Sequence, residues 1–408
     1  MRLLHTSDWH LGATLHLAAR DEEHRRTLAW LVDTMAAHEV DVLVVAGDVY
    51  HHANPSAQAQ RLLFEFLAAA RRQLPALRVV LVGGNHDSAA RLDAPREVLD
   101  PLGVVVVGGA IDGWEERALV PIADRTGAIR CVVVAVPYIH EYRLGVASIG
   151  HDDGAYRTAL TEAFRARYDA LAEEASRRWP GVPLVATGHL TCTGASPDDY
   201  DTPLHRVGGE SGLPATIFSE VWSYVALGHI HRPYPVDGDR VRYAGSLFPL
   251  RSSEIAHPHQ VRLVDVRPDG SITTRAVDVP LPRTITDVRG SFEEVLATLQ
   301  ALRPVGDLPA YVLAAIELDS PDTSAEQRLA EALADRKDLT LVRVTARPRV
   351  SVESATESRP VDVDVVTATP EEVFTLLYRA TFPEGTPPDD LLAAFRAAVA
   401  AANAGGAP

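Results

Sequence analysis

Five short apolar runs, each leading into a fragment rich in metal-ligand residue types, constrain this chain more than any other feature. The runs are Leu3-Leu4, Val42 to Ala46, Val79 to Val82, Leu184 to Ala186 and Val225 to Leu227. After or near them come Asp8-Trp9-His10, Gly47-Asp48, Gly84-Asn85-His86-Asp87, Gly188-His189 and Gly228-His229-Ile230-His231. The runs are short, rich in β-branched residues and bounded by glycine, which suits buried strands. In an α/β protein, ligands collect outside the carboxyl ends of such strands, where loops bring distant residues together. A set of carboxylate, imidazole and amide groups with no thiolate favours manganese-like ions over a structural zinc. Any one fragment alone reads as a turn with satisfied side chains; the five in this order read as one site.

The order DxH, GD, GNHD, GH, GHxH resembles the calcineurin-like metallophosphoesterase superfamily. The flanking words HTSDWHLG, AGDVYHHANPS, GGNHDS and ALGHIHRPYPV followed by RYAGS are similar to those of the SbcD family, the nuclease subunits of SbcC–SbcD complexes. The resemblance implies an α/β fold: a layered metallophosphoesterase β-sandwich flanked by helices, a small α/β capping domain and a C-terminal helical tail. It also implies a duplex 3'-5' exonuclease and single-strand or hairpin endonuclease using two Mn2+, with Mg2+ less effective. DNA, an SbcC ATPase subunit and a second copy of the chain, paired within a heterotetramer, are the implied partners.

A two-metal phosphodiesterase needs a ligand bridging both ions, further ligands on each, and an acid for the leaving alkoxide. Asp48, a carboxylate directly after the second strand, is the natural bridge. Carried over from the family, Asp8, His10 and His231 complete one metal site, and Asn85, His189 and His229 the other. His86, beside a ligand but not one itself, is the expected proton donor to the departing oxygen. His51 falls where relatives often carry the group that partners this histidine, and Asp87 is expected to hold its loop. His5, His24, His38, His257 and His259 read as structural or solvated. His16 and His52 lie near the cleft loops, and Arg232 and Arg251 are candidates for phosphate contacts.

Composition bounds the partners. Lys+Arg 39 against Asp+Glu 55 gives a net charge of -16, which excludes an all-over basic nucleic-acid coat. Metal ions, a local arginine stripe or a partner must then supply affinity for phosphates. Cys131 and Cys192 are too few for a disulfide framework and have no metal-type spacing, which fits a reducing cytosol. There is no basic-then-apolar signal segment and no apolar run approaching the ~18 residues of a membrane span, so the expectation is a soluble cytoplasmic protein. No Gly-rich loop ending in Gly-Lys-Ser/Thr is present, so any use of ATP belongs to a partner.

Strand-like runs alternate with helical patterns to about Val266, among them helices over Asp21 to Met35 and Ala155 to Arg178, the second polar enough to be mostly solvated. A Pro-rich passage, Val279 to Pro282, then separates a nuclease domain (1–280) from a βαβαβ unit (284–346). That unit has strands at Thr284 to Val288, Tyr311 to Leu318 and Leu339 to Val344. Its helices open at Ser291, with Glu294 completing a capping box, and at Ser324. In the family, the corresponding unit caps the nuclease cleft.

A polar linker (347–368) leads to two short helices (369–403), opened by Thr369-Pro370-Glu371-Glu372 and Thr386-Pro387-Pro388-Asp389. Their apolar residues include Phe374 and Phe395, and helices this short need burial; in the family this region grips the SbcC coiled coil. Ser56 to Leu74 reads as a helix whose apolar arc (Leu62, Leu63, Phe66, Leu67, Ala70) exceeds one stripe. Part of that arc is expected to pair with a second copy, helped by a helix near Asp93 to Leu99. The competing functions are a phosphatase or phosphodiesterase of the same superfamily on a non-DNA substrate, and a DNA-end scaffold with a spent site. The appended domain argues against the first, and a complete ligand set against the second.

Overall fold

The computed structural model describes residues 1–146, 153–193, 206–207, 210–318, 322 and 324–348. In the tail it describes 371, 374–375, 378, 387–388, 391–396 and 399. Two six-stranded sheets face each other. Across the first run Ile272–Asp278 (β12), Gln260–Val266 (β11), Arg2–Thr6 (β1), Val42–Ala46 (β2), Arg78–Val82 (β3) and Val104–Val107 (β4). Across the second run Pro235–Asp237 (β9), Val241–Tyr243 (β10), Trp222–Gly228 (β8), Leu184–His189 (β7), Ile129–Val134 (β6) and Leu119–Ala123 (β5).

The inner strands pair in parallel, with Leu3 opposite Val42, Val42 opposite Arg78 and Leu184 opposite both Val132 and Trp222. Parallel pairing sends their carboxyl ends, and the loops beyond them, to the same edge. Alternation explains why these strands read as unbroken apolar runs. Val42 and Val44 enter the core between the sheets with Val132, Val134 and Val185, while Leu43 and Val45 turn outward. There they meet Leu28 and Leu31 of helix α1 (Asp21–Ala37) and Leu62, Leu63, Phe66 and Leu67 of helix α2 (Ala57–Gln73).

Three expectations about helices change. All five residues of the α2 arc are buried against the helix's own domain, so that arc, Leu63 included, is core. Phe64, 39% exposed, is the large apolar residue outside it. The segment near Asp93 to Leu99 forms two short helices, Ala89–Asp93 (α3) and Arg96–Leu99 (α4). The polar helix Asp153–Arg178 (α5) is less solvated than its composition suggests, for Leu160, Phe164, Tyr168, Leu171 and Ala175 form a buried stripe. A narrow stripe on an otherwise charged helix is easily lost in its average polarity.

A three-stranded sheet comes next, ordered Ile285–Gly290 (β13), Ala310–Leu318 (β14) and Leu339–Pro348 (β15). Helices Phe292–Ala301 (α6) and Ala325–Ala332 (α7) connect its strands, and Ser291 and Glu294 form the expected capping box at α6. This sheet packs into the same compact unit as the sandwich, which comprises Met1–Ile316 and Thr323–Ala346. Ile285, Tyr311 and Leu313 share a cluster with Leu15, and Tyr311 donates to the Ala19 carbonyl at 2.9 Å. Beside them Arg20 and Arg283 both pair with the buried Glu23.

The second unit comprises Glu317–Asp322 and Arg347–Pro408. Its expected linker lies outside the described residues beyond 348. In its tail Phe374 stacks on Phe395 at 4.2 Å between centroids, and Glu371 pairs with Arg396.

His5 ties the two sheets together. The Tyr224 hydroxyl donates to its Nδ1 at 2.9 Å, and its Nε2–H donates to the Leu227 carbonyl at 3.1 Å. Accepting at Nδ1 needs a neutral ring, and full burial pushes its pKa down to about 3. An unfolded histidine titrates near ~6.5, so below that pH the unfolded chain binds one proton more and stability falls. The slope is about 1.4 kcal/mol per pH unit, and it ends near the folded-state value. In urea unfolding of the metal-stripped protein at pH 7 and pH 5, His5→Gln should be less stable than the parent at pH 7. It should also depend on pH more weakly, by about one proton; equal slopes would contradict a buried neutral ring.

Candidate metal centre

The candidate ligands converge at the carboxyl edge of the parallel strands, on backbone that is itself unusual. Asp8 (φ 52°), His10 (φ 47°), Asp48 (φ 49°) and His229 (φ 93°) all occupy the left-handed region, which side-chain-bearing residues rarely adopt. Strain of this kind persists only where surrounding bonds over-determine it. Here the Asp8 amide donates to the Gly47 carbonyl and the His10 amide to the Asp48 carbonyl, both at 3.0 Å, stitching the first loop to the second. The His229 and His86 amides each donate at 2.9 Å, to Asp8 Oδ1 and Asp48 Oδ1 respectively. The loops are also too close for larger residues. A Cβ at Gly47 would lie 2.1 Å from His189 Nδ1, and one at Gly228 would lie 1.9 Å from the Ala46 carbonyl oxygen.

His10 groups with His51 and His86, and the expected ligands form two clusters, Asp8 with His10 and His231, and Asp48 with His189 and His229, the donor atoms of each group within 4.8 Å of one another. Asp48 lies between them, its Oδ2 3.5 Å from His10 Nε2 and 3.3 Å from His189 Nε2. Asn85 Oδ1 lies 3.0 Å from the same His189 nitrogen. His10 Nε2 and His231 Nε2 face each other at 3.2 Å, close enough to share one proton or to bind one ion. This buried set of oxygen and nitrogen donors without sulfur fits divalent metal ions.

Electrostatics bear the same mark. Burial pushes the Asp48 carboxyl up, but the His189 and His10 imidazoles outweigh it and hold the group well below the usual carboxylate range. Burial pulls His189 down, yet Asp48 and Asp8 raise it above the usual histidine range. Asp8 is raised and His10 lowered, each chiefly by burial. The Asp48 carboxylate and the His189 imidazole thus favour each other's charged forms.

His86 Nδ1–H donates to the main-chain carbonyl of His51 at 2.9 Å. The His51 ring is instead turned to His10, Nδ1 to Nδ1 at 3.1 Å, and lies parallel to the His86 ring 5.7 Å away. The link between His51 and His86 therefore runs through the backbone and ring stacking. Asp87 holds its loop as expected, accepting the Val49, Tyr50 and Gly84 amides.

Of the remaining histidines, His5, His24 and His259 are buried with both ring nitrogens engaged, which fits structural roles. His38 and His257 are half-buried, and His16 sits exposed on the turn after Leu15. The His52 ring lies 4.4 Å from that of His51. Arg232 lies over the Tyr234 ring at 5.0 Å, while Arg251 pairs with Glu254. Glu254 is the residue that sequence reading missed: its Oε1 accepts from His231 Nδ1 at 2.8 Å.

The calcineurin-like phosphoesterase family pattern matches residues 1–233. A second pattern, the type 5 capsule protein repressor C-terminal domain, matches residues 282–382. The SbcD subunit of the SbcCD nuclease of Rhodobacter capsulatus is 38% identical over 92% of this chain and 93% of its own length. The chain belongs to the SbcD family. Other members bear this out. The SbcD of Escherichia coli K12 is 32% identical over 76% of both chains, and that of Bacillus subtilis is 30% identical over 68% of this chain and 69% of its own. Family and donor set together make this SbcD-family chain a metal-dependent phosphodiesterase that takes a divalent ion.

Asp87 offers a test of the loops apart from the ligands. Asp87→Ala strips three amides of their acceptor, at about 1–3 kcal/mol for each that stays buried. It should lower thermal stability and weaken metal binding in calorimetry, although Asp87 belongs to neither ligand cluster. Wild-type metal affinity in a folded Asp87→Ala protein would show that the loops hold without it.

Proposed function

We propose that this chain is the nuclease subunit of an SbcC–SbcD-type complex, a two-Mn2+ phosphodiesterase cutting DNA as a duplex 3'-5' exonuclease and a single-strand and hairpin endonuclease. The observation that carries the two-ion reading is the Asp48 carboxylate set between His10 and His189. Asp8, His10 and His231 would hold one ion, Asn85, His189 and His229 the other, and Asp48 both. When bound, such ions polarise phosphoryl oxygens and lower the pKa of water. His86 supplies the proton chemistry: with Nδ1–H held by the His51 carbonyl, Nε2 is the nitrogen that donates to the leaving alkoxide. His51 orients both His86, by its carbonyl, and His10, by its ring.

The partners accord with the family. Residues 284–346 would cap the nuclease domain (1–280), and the linker (347–368) would carry the helical segment (369–403) to the SbcC coiled coil. The Phe374–Phe395 stack supports reading that segment as a helical pair. A second copy would pair through the exposed Phe64, which lines a groove with Arg91, Leu92 and Pro95, and through the exposed Val98 and Leu102 on the segment that follows. Among the described residues no helix is long and apolar enough to cross a membrane; the enzyme's proposed location is the cytoplasm, as for the family.

Three experiments test this reading. With linear duplex DNA and Mn2+, Asp48→Asn should lose more activity than His10→Asn, and added Mn2+ should not restore it. Near-normal turnover by Asp48→Asn would sink the two-ion site. His86→Ala should keep its metal content in calorimetry yet slow single-turnover cleavage by roughly 10²–10⁴-fold; loss of an ion would make His86 a ligand. Truncation after Ala368 should abolish co-purification with an SbcC-type ATPase while sparing Mn2+-dependent cleavage of single strands. An unchanged pull-down would place the contact elsewhere.

A further inference from the structure

The two candidate metal sites differ in what stands behind their imidazoles. His231 Nδ1–H donates to Glu254 Oε1 at 2.8 Å, a carboxylate with no solvent exposure. His189 Nδ1–H donates instead to the neutral Ala46 carbonyl at 2.9 Å. Hydrogen bonds to an ionised acceptor are roughly twice as strong as neutral ones. A carboxylate behind a ligating histidine fixes its tautomer and makes the metal-facing nitrogen a better donor.

Glu254 is itself held. The Leu250 amide donates to its Oε2 at 2.8 Å and Arg251 Nε to its Oε1 at 2.9 Å. The next residue, Ile255, packs against the cluster of Leu15, Ile285 and Leu313, so the turn carrying the carboxylate is anchored on the three-stranded sheet. Asp8 belongs to the His231 cluster and Asp48 borders it through His10, whereas Asp48 and the neutral Asn85 stand at His189, whose imidazole Asp8 also raises.

We infer that Glu254 is a positioning residue that makes the metal sites unequal, holding His231 so that the Asp8–His10–His231 site binds its ion more tightly than the Asn85–His189–His229 site. The inference rests on the two-ion reading above and adds an order of filling. The tight site fills first, and the second ion governs the concentration at which the enzyme becomes active.

The test is Mn2+ titration calorimetry on the metal-stripped full chain, with thermal unfolding of the metal-free protein alongside. Wild type should bind in two resolved steps. Glu254→Gln keeps the shape of the side chain and removes its charge. It should weaken the first step about 10–100-fold, the usual cost of losing such a partner, and leave the second unchanged. A folded Glu254→Gln protein with a wild-type first step, or one in which both steps weaken together, overturns the inference.

If that variant does not fold, two others decide. The tight step should survive in Asn85→Ala and vanish in Asp8→Asn; the reverse overturns the assignment. A wild-type chain that binds a single ion would instead defeat the two-ion reading itself.

Discussion

The placement of one carboxylate, Asp48, orders the rest of this structure. Its Oδ2 sits between His10 Nε2 and His189 Nε2, and its Oδ1 accepts the His86 amide. It can do so only because Gly47 turns sharply at the end of β2 and because neighbouring loops are bonded to that turn. Buried carboxylates and imidazoles this close are costly unless their charges are balanced. The sandwich supplies the constraint. Parallel strands from two sheets bring five loops to one edge, and left-handed backbone at Asp8, His10, Asp48 and His229 aims the side chains inward.

Much of this was legible in the sequence. Strands buried on both faces show as unbroken β-branched runs, and the residues just past each run must lie at its carboxyl end. The five fragments past those runs could therefore be read as one site, while the sorting of their residues into two ligand sets came from the family resemblance. The βαβαβ unit was equally legible, because the Ser291–Glu294 capping box and the flanking turns mark its elements locally.

The failures have a common cause, in that a pattern shows a face but not its neighbour. The wide arc of α2 indicated burial on several sides, and the helix's own domain, including the sheet, α1 and Trp9, covers it. The stripe of α5 was diluted by its charged faces. Glu254 gave no local signal, since its meaning depends on His231, which reaches it only after the chain turns back through Ser246 and Leu250. His51 was named as the partner of His86 from its place in the family pattern, but that it meets His86 through its main-chain carbonyl is something no residue type reveals.

The central claim is that Asp48 joins two ions into one site. It is tested most directly by anomalous diffraction from crystals grown with Mn2+. The account calls for two manganese peaks about 3.5–4 Å apart, with an Asp48 oxygen between them and His10 and His189 on opposite peaks. A single fully occupied peak, or two that share no Asp48 oxygen, would contradict it.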